Sequence, residues 1–165
     1  MTIDSGQFPA TTISSAIVEV KPGAMSELHW RPNADEWQYY LEGSARMTVF
    51  DSSSLARTFD YQAGDVGYVP KVLGHYVENT GDGPLRFLAL FRSRQYQDVS
   101  LTQWLALTPP GLVKAHLNLG NDMIASFSRT KQTVVGGGEM SLQQAPVPCG
   151  EHCLSCAIRM SSMLR

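Results

Sequence analysis

His29, Glu36 and His75 are residue types that bind a divalent first-row metal. Imidazole nitrogen and carboxylate oxygen together suit Zn, Mn or Fe(II). Arg31 stands among them in the run His29-Trp30-Arg31-Pro32-Asn33-Ala34-Asp35-Glu36. A guanidinium stays protonated, has no lone pair for a metal, and repels a nearby cation. Two chemistries therefore remain open. In one, His29, Glu36 and His75 form a two-His-one-carboxylate set with open positions for substrate. In the other, Arg31 pairs with Glu36 in place of a metal and grips an anionic or carbonyl-bearing ligand through its fork of N–H donors. Catalytic roles fall on Arg31 and Glu36. Arg31, Trp30 and Tyr39 are the candidates for substrate contact, although aromatic residues on strands more often serve a core.

His75 lies far along the chain from the other three, so the fold must bring them together. From Thr11 to Phe91 the chain alternates apolar and polar residues in short runs. Ile13–Val20, Trp37–Leu41, Ala45–Phe50, Arg57–Tyr61, Val66–Val69, Tyr76–Asn79 and Leu85–Phe91 read as strands. Gly43, Gly64 and the Thr80–Pro84 run mark turns between them. Leu85–Phe91 is apolar enough for a central strand. His29 and Arg31 flank Trp30 and would share one strand face. Many short strands at regular spacing predict an all-β sandwich or closed barrel. After Arg92 the pattern changes. Ser100 reads as an N-cap for a helix through Leu107, which Pro109-Pro110 stops. Leu112–Leu117 and Asn121–Ser128 read as further short helices.

The bulk numbers narrow the function classes. At 165 residues the chain can bury a core without disulfides. Its formal net charge is -2, and no Lys/Arg run offers a nucleic-acid surface. No apolar stretch reaches membrane-spanning length. The amino terminus lacks the basic start and hydrophobic run of a secretory signal, which predicts a cytoplasmic protein. All three cysteines, Cys149, Cys153 and Cys156, fall near the carboxyl end beside His152. They read either as a zinc knot or as free thiols on a loose terminal segment.

The framework around the candidate site resembles the cupin family at both of its signature motifs. Gly23, His29, Glu36 and Gly43 fit the first, with Arg31 where a second histidine is usual. Gly64, Pro70, Gly74, His75 and Asn79 fit the second. The runs Glu27–Trp30, Asn33–Tyr40, Tyr61–Pro70 and Ser100–Ala106 are similar to the carboxyl-terminal cupin unit of the bicupin oxalate decarboxylases. The resemblance implies a double-stranded β-helix, or jelly-roll barrel, and a manganese enzyme that splits oxalate to formate and carbon dioxide. His29, Glu36 and His75 match three of the family's four ligands, and Arg31 replaces the fourth. Ser26 stands where the family usually has an oxalate-holding arginine. Ala89 stands where it usually has a proton-relaying glutamate.

The resulting expectation is an all-β cupin with a C-terminal helical extension. Residues 1–95 would form the barrel, 96–128 a helical extension that packs on or swaps with a partner, and 129–165 a flexible tail. The chain would be a single-domain enzyme diverged from oxalate decarboxylase, acting on a small oxygenated organic molecule. The reaction would be a decarboxylation, dehydration, rearrangement or cyclisation, with a divalent metal (Mn, Fe or Zn) or Arg31 as the electrophile. The alternative is a cupin binding protein without activity. A homodimer is expected, with neither nucleic acid nor membrane as partner.

Overall fold

The computed structural model describes Thr2–Ile3 and residues 12–136. The cysteine-bearing segment, with Cys149, His152, Cys153 and Cys156, lies outside the described residues. The chain runs β1 (Thr2–Ile3), β2 (Ser14–Val20), β3 (Ala24–Ser26), β4 (His29–Trp30), β5 (Glu36–Glu42), β6 (Ser44–Phe50), β7 (Ala56–Gln62) and β8 (Val66–Val69). It continues through β9 (Gly74–Asn79), β10 (Leu85–Phe91), β11 (Val99–Ser100), α1 (Leu101–Leu107), α2 (Pro110–Leu117), α3 (Asn121–Ala125) and β12 (Val134–Gly136).

The alternation read from the sequence is realised as two antiparallel sheets. One has the order β1-β2-β10-β5-β8. The other has the order β11-β4-β9-β3-β12, with β6 against β9 and β7 beyond it. On β5, Glu36, Gln38 and Tyr40 point inward and are buried, while Trp37, Tyr39 and Leu41 point outward. Side chains alternate across a strand, so this single register decides which of the aromatic residues reach the interior. One core joins the sheets: Val20, Tyr40, Phe87 and Ala89 come from the first, Ala45, Met47, Val49 and Val77 from the second. Leu85–Phe91 takes the central place expected of it, between β2 and β5.

The turn between β5 and β6 depends on Gly43. Its φ is +84°, and a Cβ there would lie 2.7 Å from the Pro84 carbonyl oxygen. Any side chain would push β6 away from the β9–β10 connection.

Ser100 caps α1, accepting a hydrogen bond from the Gln103 N–H at 3.2 Å. Pro109-Pro110 ends that helix, but Pro110 also opens α2, three residues from the Val113 that this helix buries. Proline is tolerated at a first helical position because the N–H it lacks would have had no partner. The third helix is shorter than its sequence suggests and closes at Ala125.

The expectation of a flexible tail from residue 129 does not hold over its described part. β12 pairs with β3, with Val134 opposite Ser26 and Gly136 opposite Ala24. Periodicity was too short there to announce a strand of three residues. This strand carries the preceding residues, Lys131 included, against the barrel. Among the described residues no helix is long and apolar enough to cross a membrane.

Candidate functional site

Strand register brings the two histidines together. β9 lies between β4 and β6, with His29 directly opposite His75. Their ring centroids are 4.3 Å apart. His29 Nδ1 lies 2.7 Å from the Glu27 carbonyl oxygen, and His75 Nδ1 lies 3.1 Å from that of Leu73. A carbonyl can only accept, so each Nδ1 carries the proton and a neutral ring keeps its lone pair on Nε2. Burial, reinforced by His75 and Arg31, holds the His29 pKa well below its ordinary value. Its neutral form, the one that ligates metals, is thereby favoured.

Glu36 enters from the inward face of β5, followed by Gln38 and Tyr40 on that face. Gln38 Nε2 donates to Glu36 Oε1 at 2.9 Å, and the Tyr40 hydroxyl donates to Gln38 Oε1 at 2.7 Å. Arg31 Nε donates to Glu36 Oε2, also at 2.9 Å. Burial alone would raise the Glu36 pKa. The Arg31 guanidinium overcomes it and holds the carboxyl well below the usual range. His75 Nε2 comes within 3.3 Å of Glu36 Oε2, but without the alignment of a hydrogen bond. Both Nε2 atoms are buried without a hydrogen-bond partner.

Arg31 is held on several sides. Its Nη1 donates to Asp98 Oδ2 at 2.8 Å. Its guanidinium carbon lies 4.4 Å from the Tyr96 ring centre and 5.0 Å from that of Phe91, a cation–π arrangement. The Tyr96 hydroxyl donates to the same Asp98 oxygen at 3.0 Å, and Lys131 Nζ is in direct contact with it. Lys131 also lies 3.8 Å from Glu27 Oε1, while the other Glu27 oxygen accepts from the Ser100 hydroxyl at 2.8 Å. Burial, then the charge of Arg31, pulls the Lys131 pKa down to about 8. Three carboxylates, Glu27, Glu36 and Asp98, thus share two fixed cations, Arg31 and Lys131. The cluster carries one unmatched negative charge.

The residues therefore fit a divalent cation. His29, Glu36 and His75 each offer a ligand atom, all within 4.8 Å of one another. A carboxylate has about four lone-pair directions, and the Arg31 and Gln38 bonds engage one each at Glu36. Leaving a buried polar atom unpaired costs about 1–3 kcal/mol, and here two such atoms face one carboxylate. The free space beside His29, Glu36 and Arg31 is small, about 20 Å³. That is room for roughly one water.

His29, Arg31 and Glu36 line this pocket, and His75 stands beside it against His29 and Glu36. Trp30 and Tyr39 do not line it. Trp30 packs edge-on against Trp104, with centroids 5.8 Å apart, and Tyr39 is on the outer face of β5, 43% exposed. Ser26 is buried, and its hydroxyl accepts from the Val77 N–H at 2.8 Å, tying β3 to β9. Ala89 is fully buried in the core. Sequence reasoning missed Gln38, Tyr96, Asp98 and Lys131. Period-two alternation from Glu36 could have found Gln38. No local signal marks the other three.

The cupin family profile matches residues 1–125. The chain belongs to the cupin family. This cupin is 60% identical over 133 residues to oxalate decarboxylase OxdC of Bacillus subtilis, which covers 80% of this chain and 34% of that protein. It is 47% identical over 135 residues to an oxalate decarboxylase of Arthroderma benhamiae, covering 81% of this chain and 32% of the relative. A solved structure of the Bacillus subtilis enzyme, determined in a study of its Mn(II) centres, superposes with a TM-score of 0.81 at 58% identity. It covers 83% of this cupin and 37% of that chain. The cupin thus spans about a third of the length of these relatives.

Proposed function

We propose that this chain is a cupin enzyme diverged from the oxalate decarboxylases, with His29, Glu36 and His75 holding a divalent metal and Arg31 contacting a small oxygenated substrate. One observation carries the reading: two buried imidazole Nε2 atoms without partners face an ionised carboxylate. The unmatched negative charge of the cluster supports it. A bound divalent metal would supply Lewis acidity at a carbonyl or enolate oxygen.

The protein groups have separable tasks. The Nδ1 bonds to the Glu27 and Leu73 carbonyls aim the two imidazoles. Gln38, fixed by Tyr40, orients the Glu36 carboxylate. Arg31 offers a fixed positive charge to negative charge that develops on substrate in the transition state. Such chemistry serves a decarboxylation, dehydration, rearrangement or cyclisation. Oxalate fits poorly, because Ser26 cannot make the bidentate carboxylate contact of an arginine and Ala89 cannot carry a proton.

Metal analysis of purified protein dialysed against Mn or Zn tests this. Wild type is expected to retain about one divalent ion per chain, and His75→Ala at least tenfold less at the same free metal. Formate release from oxalate is expected to stay at the metal-free background in both. Equal, near-zero metal in the two proteins would defeat the reading. A second reading, a binding protein without turnover, is favoured by the small free space beside Arg31. Metal retention without turnover across a panel of hydroxy and keto acids would support it.

The helical extension supports a homodimer. Trp104, Leu107, Leu112 and Met123 are 56–69% exposed on α1–α3. Their apolar area would be buried by a second copy. Light scattering at micromolar concentration is expected to give twice the chain mass, and Leu107→Glu with Leu112→Glu is expected to return it to the monomer value.

A further inference from the structure

Three hydrogen-bond donors from distant parts of the chain converge on one atom. Arg31 Nη1 donates to Asp98 Oδ2 at 2.8 Å, the Tyr96 hydroxyl donates to it at 3.0 Å, and Lys131 Nζ touches it. Arg31 follows β4, Tyr96 and Asp98 belong to the segment between β10 and β11, and Lys131 arrives just before β12. Arg31 and Lys131 both lie over the Tyr96 ring, at 4.4 and 5.5 Å from its centre. A guanidinium, an ammonium and a phenol around one carboxylate oxygen is how proteins recognise a carboxylate ligand. This arrangement forms one wall of the pocket that also contains His29 and Glu36.

We propose that Arg31, Tyr96 and Lys131 form the substrate's carboxylate-binding site, and that Asp98 occupies it as an internal stand-in which a small carboxylic acid displaces. The proposal rests on reading the barrel as a small-molecule pocket, but not on metal retention. Arg31 does not depend on Asp98 alone, since its Nε stays paired with Glu36 when the Asp98 carboxylate leaves. The donors therefore stay in place for an incoming anion. Asp98 lies in the irregular stretch that follows β10, immediately before β11, and not within a strand whose register would have to break for it to move. Its departure vacates about one carboxylate's worth of space, beside a pocket that is otherwise nearly full. The ligand class that follows is a small carboxylate whose second oxygen, hydroxyl or keto, reaches toward His29 and Glu36.

Isothermal titration with acetate, glycolate and pyruvate, and with neutral acetamide as control, tests this on the full chain. Each titration is run once in EDTA and once with Mn. Wild type is expected to bind the carboxylates weakly, in the millimolar range. Asp98→Ala is expected to bind them at least tenfold more tightly, and Asp98→Asn to follow it if the alanine variant folds poorly. Adding Lys131→Met to either is expected to remove most of the gain, while acetamide binds none of them. The proposal is overturned if wild type binds no carboxylate while the variants do, because Asp98 is then a permanent structural ion pair. It is equally overturned if the variants gain nothing, or if acetamide or the Lys131→Met background gives the same gain. Binding in EDTA decides this proposal. Metal content, measured separately, decides the metal reading, so the two can fail independently.

Discussion

Arg31→His is expected to raise affinity for Mn or Zn at least tenfold and to make the stability of the protein depend on metal. The substitution puts a third imidazole, and so a fourth ligand, where the guanidinium now opposes a cation, and it frees the Glu36 oxygen that Arg31 Nε engages. Without metal the same change is costly. Glu36 and Asp98 both lose a buried partner, and breaking a buried ion pair on one side costs on the order of 3–5 kcal/mol. Lys131 and Tyr96 still contact Asp98, so the lower end of that range applies. With free metal at a hundred times its dissociation constant, about 2.7 kcal/mol returns through linkage. Urea unfolding in EDTA and in Mn, together with metal content by mass spectrometry, reads both halves. A variant with unchanged affinity for Mn or Zn would show that a histidine at position 31 does not reach the cation that His29, Glu36 and His75 surround. Turnover of the native substrate is expected to fall, since Arg31 is the proposed substrate contact.

Glu36→Gln is expected to destabilise the chain by about 3 kcal/mol and to abolish metal retention. It leaves the Arg31 guanidinium with Asp98 alone, inside a site where both side chains are over nine-tenths buried. The contrast is Asp60→Asn at the exposed Arg46–Asp60 pair, where the loss is about 0–1 kcal/mol. The pH dependence separates charge from packing. Because the folded Glu36 pKa is depressed, its contribution is complete above the unfolded value of about 4.3 and disappears as pH falls through the folded value. Wild type should therefore lose stability steeply below that pH, and Glu36→Gln should lose less. Parallel acid limbs in the two proteins would mean that the Arg31–Glu36 pair contributes nothing to folding.

Much of this molecule follows from short-range rules. Alternation placed β2, β5–β8 and β10 to within a residue at each end and β9 to within two, but not the three-residue β3, because the pleat repeats every two residues and one face of each longer strand meets the core. Ser100 announced its helix, because a side-chain oxygen at that position can take a free backbone N–H. Residue chemistry alone marked His29, Glu36 and His75 as donors and Arg31 as their opponent. Even the Arg31–Glu36 pair was one of two outcomes open from composition.

Tertiary structure decided the rest. β12 is a strand only because β3 offers it an edge, and three residues carry too little periodicity to be read alone. Trp30 and Tyr39 are chemically suited to a pocket, yet register turned Tyr39 outward and Trp104 claimed Trp30. The surroundings of Arg31 were the least legible. Asp98 lies 67 residues along the chain from it, and Lys131 is farther still. No local pattern encodes such a meeting. It arises because strand pairing fixes the backbone, and burial then forces each charge to find a partner within the few ångströms that packing leaves.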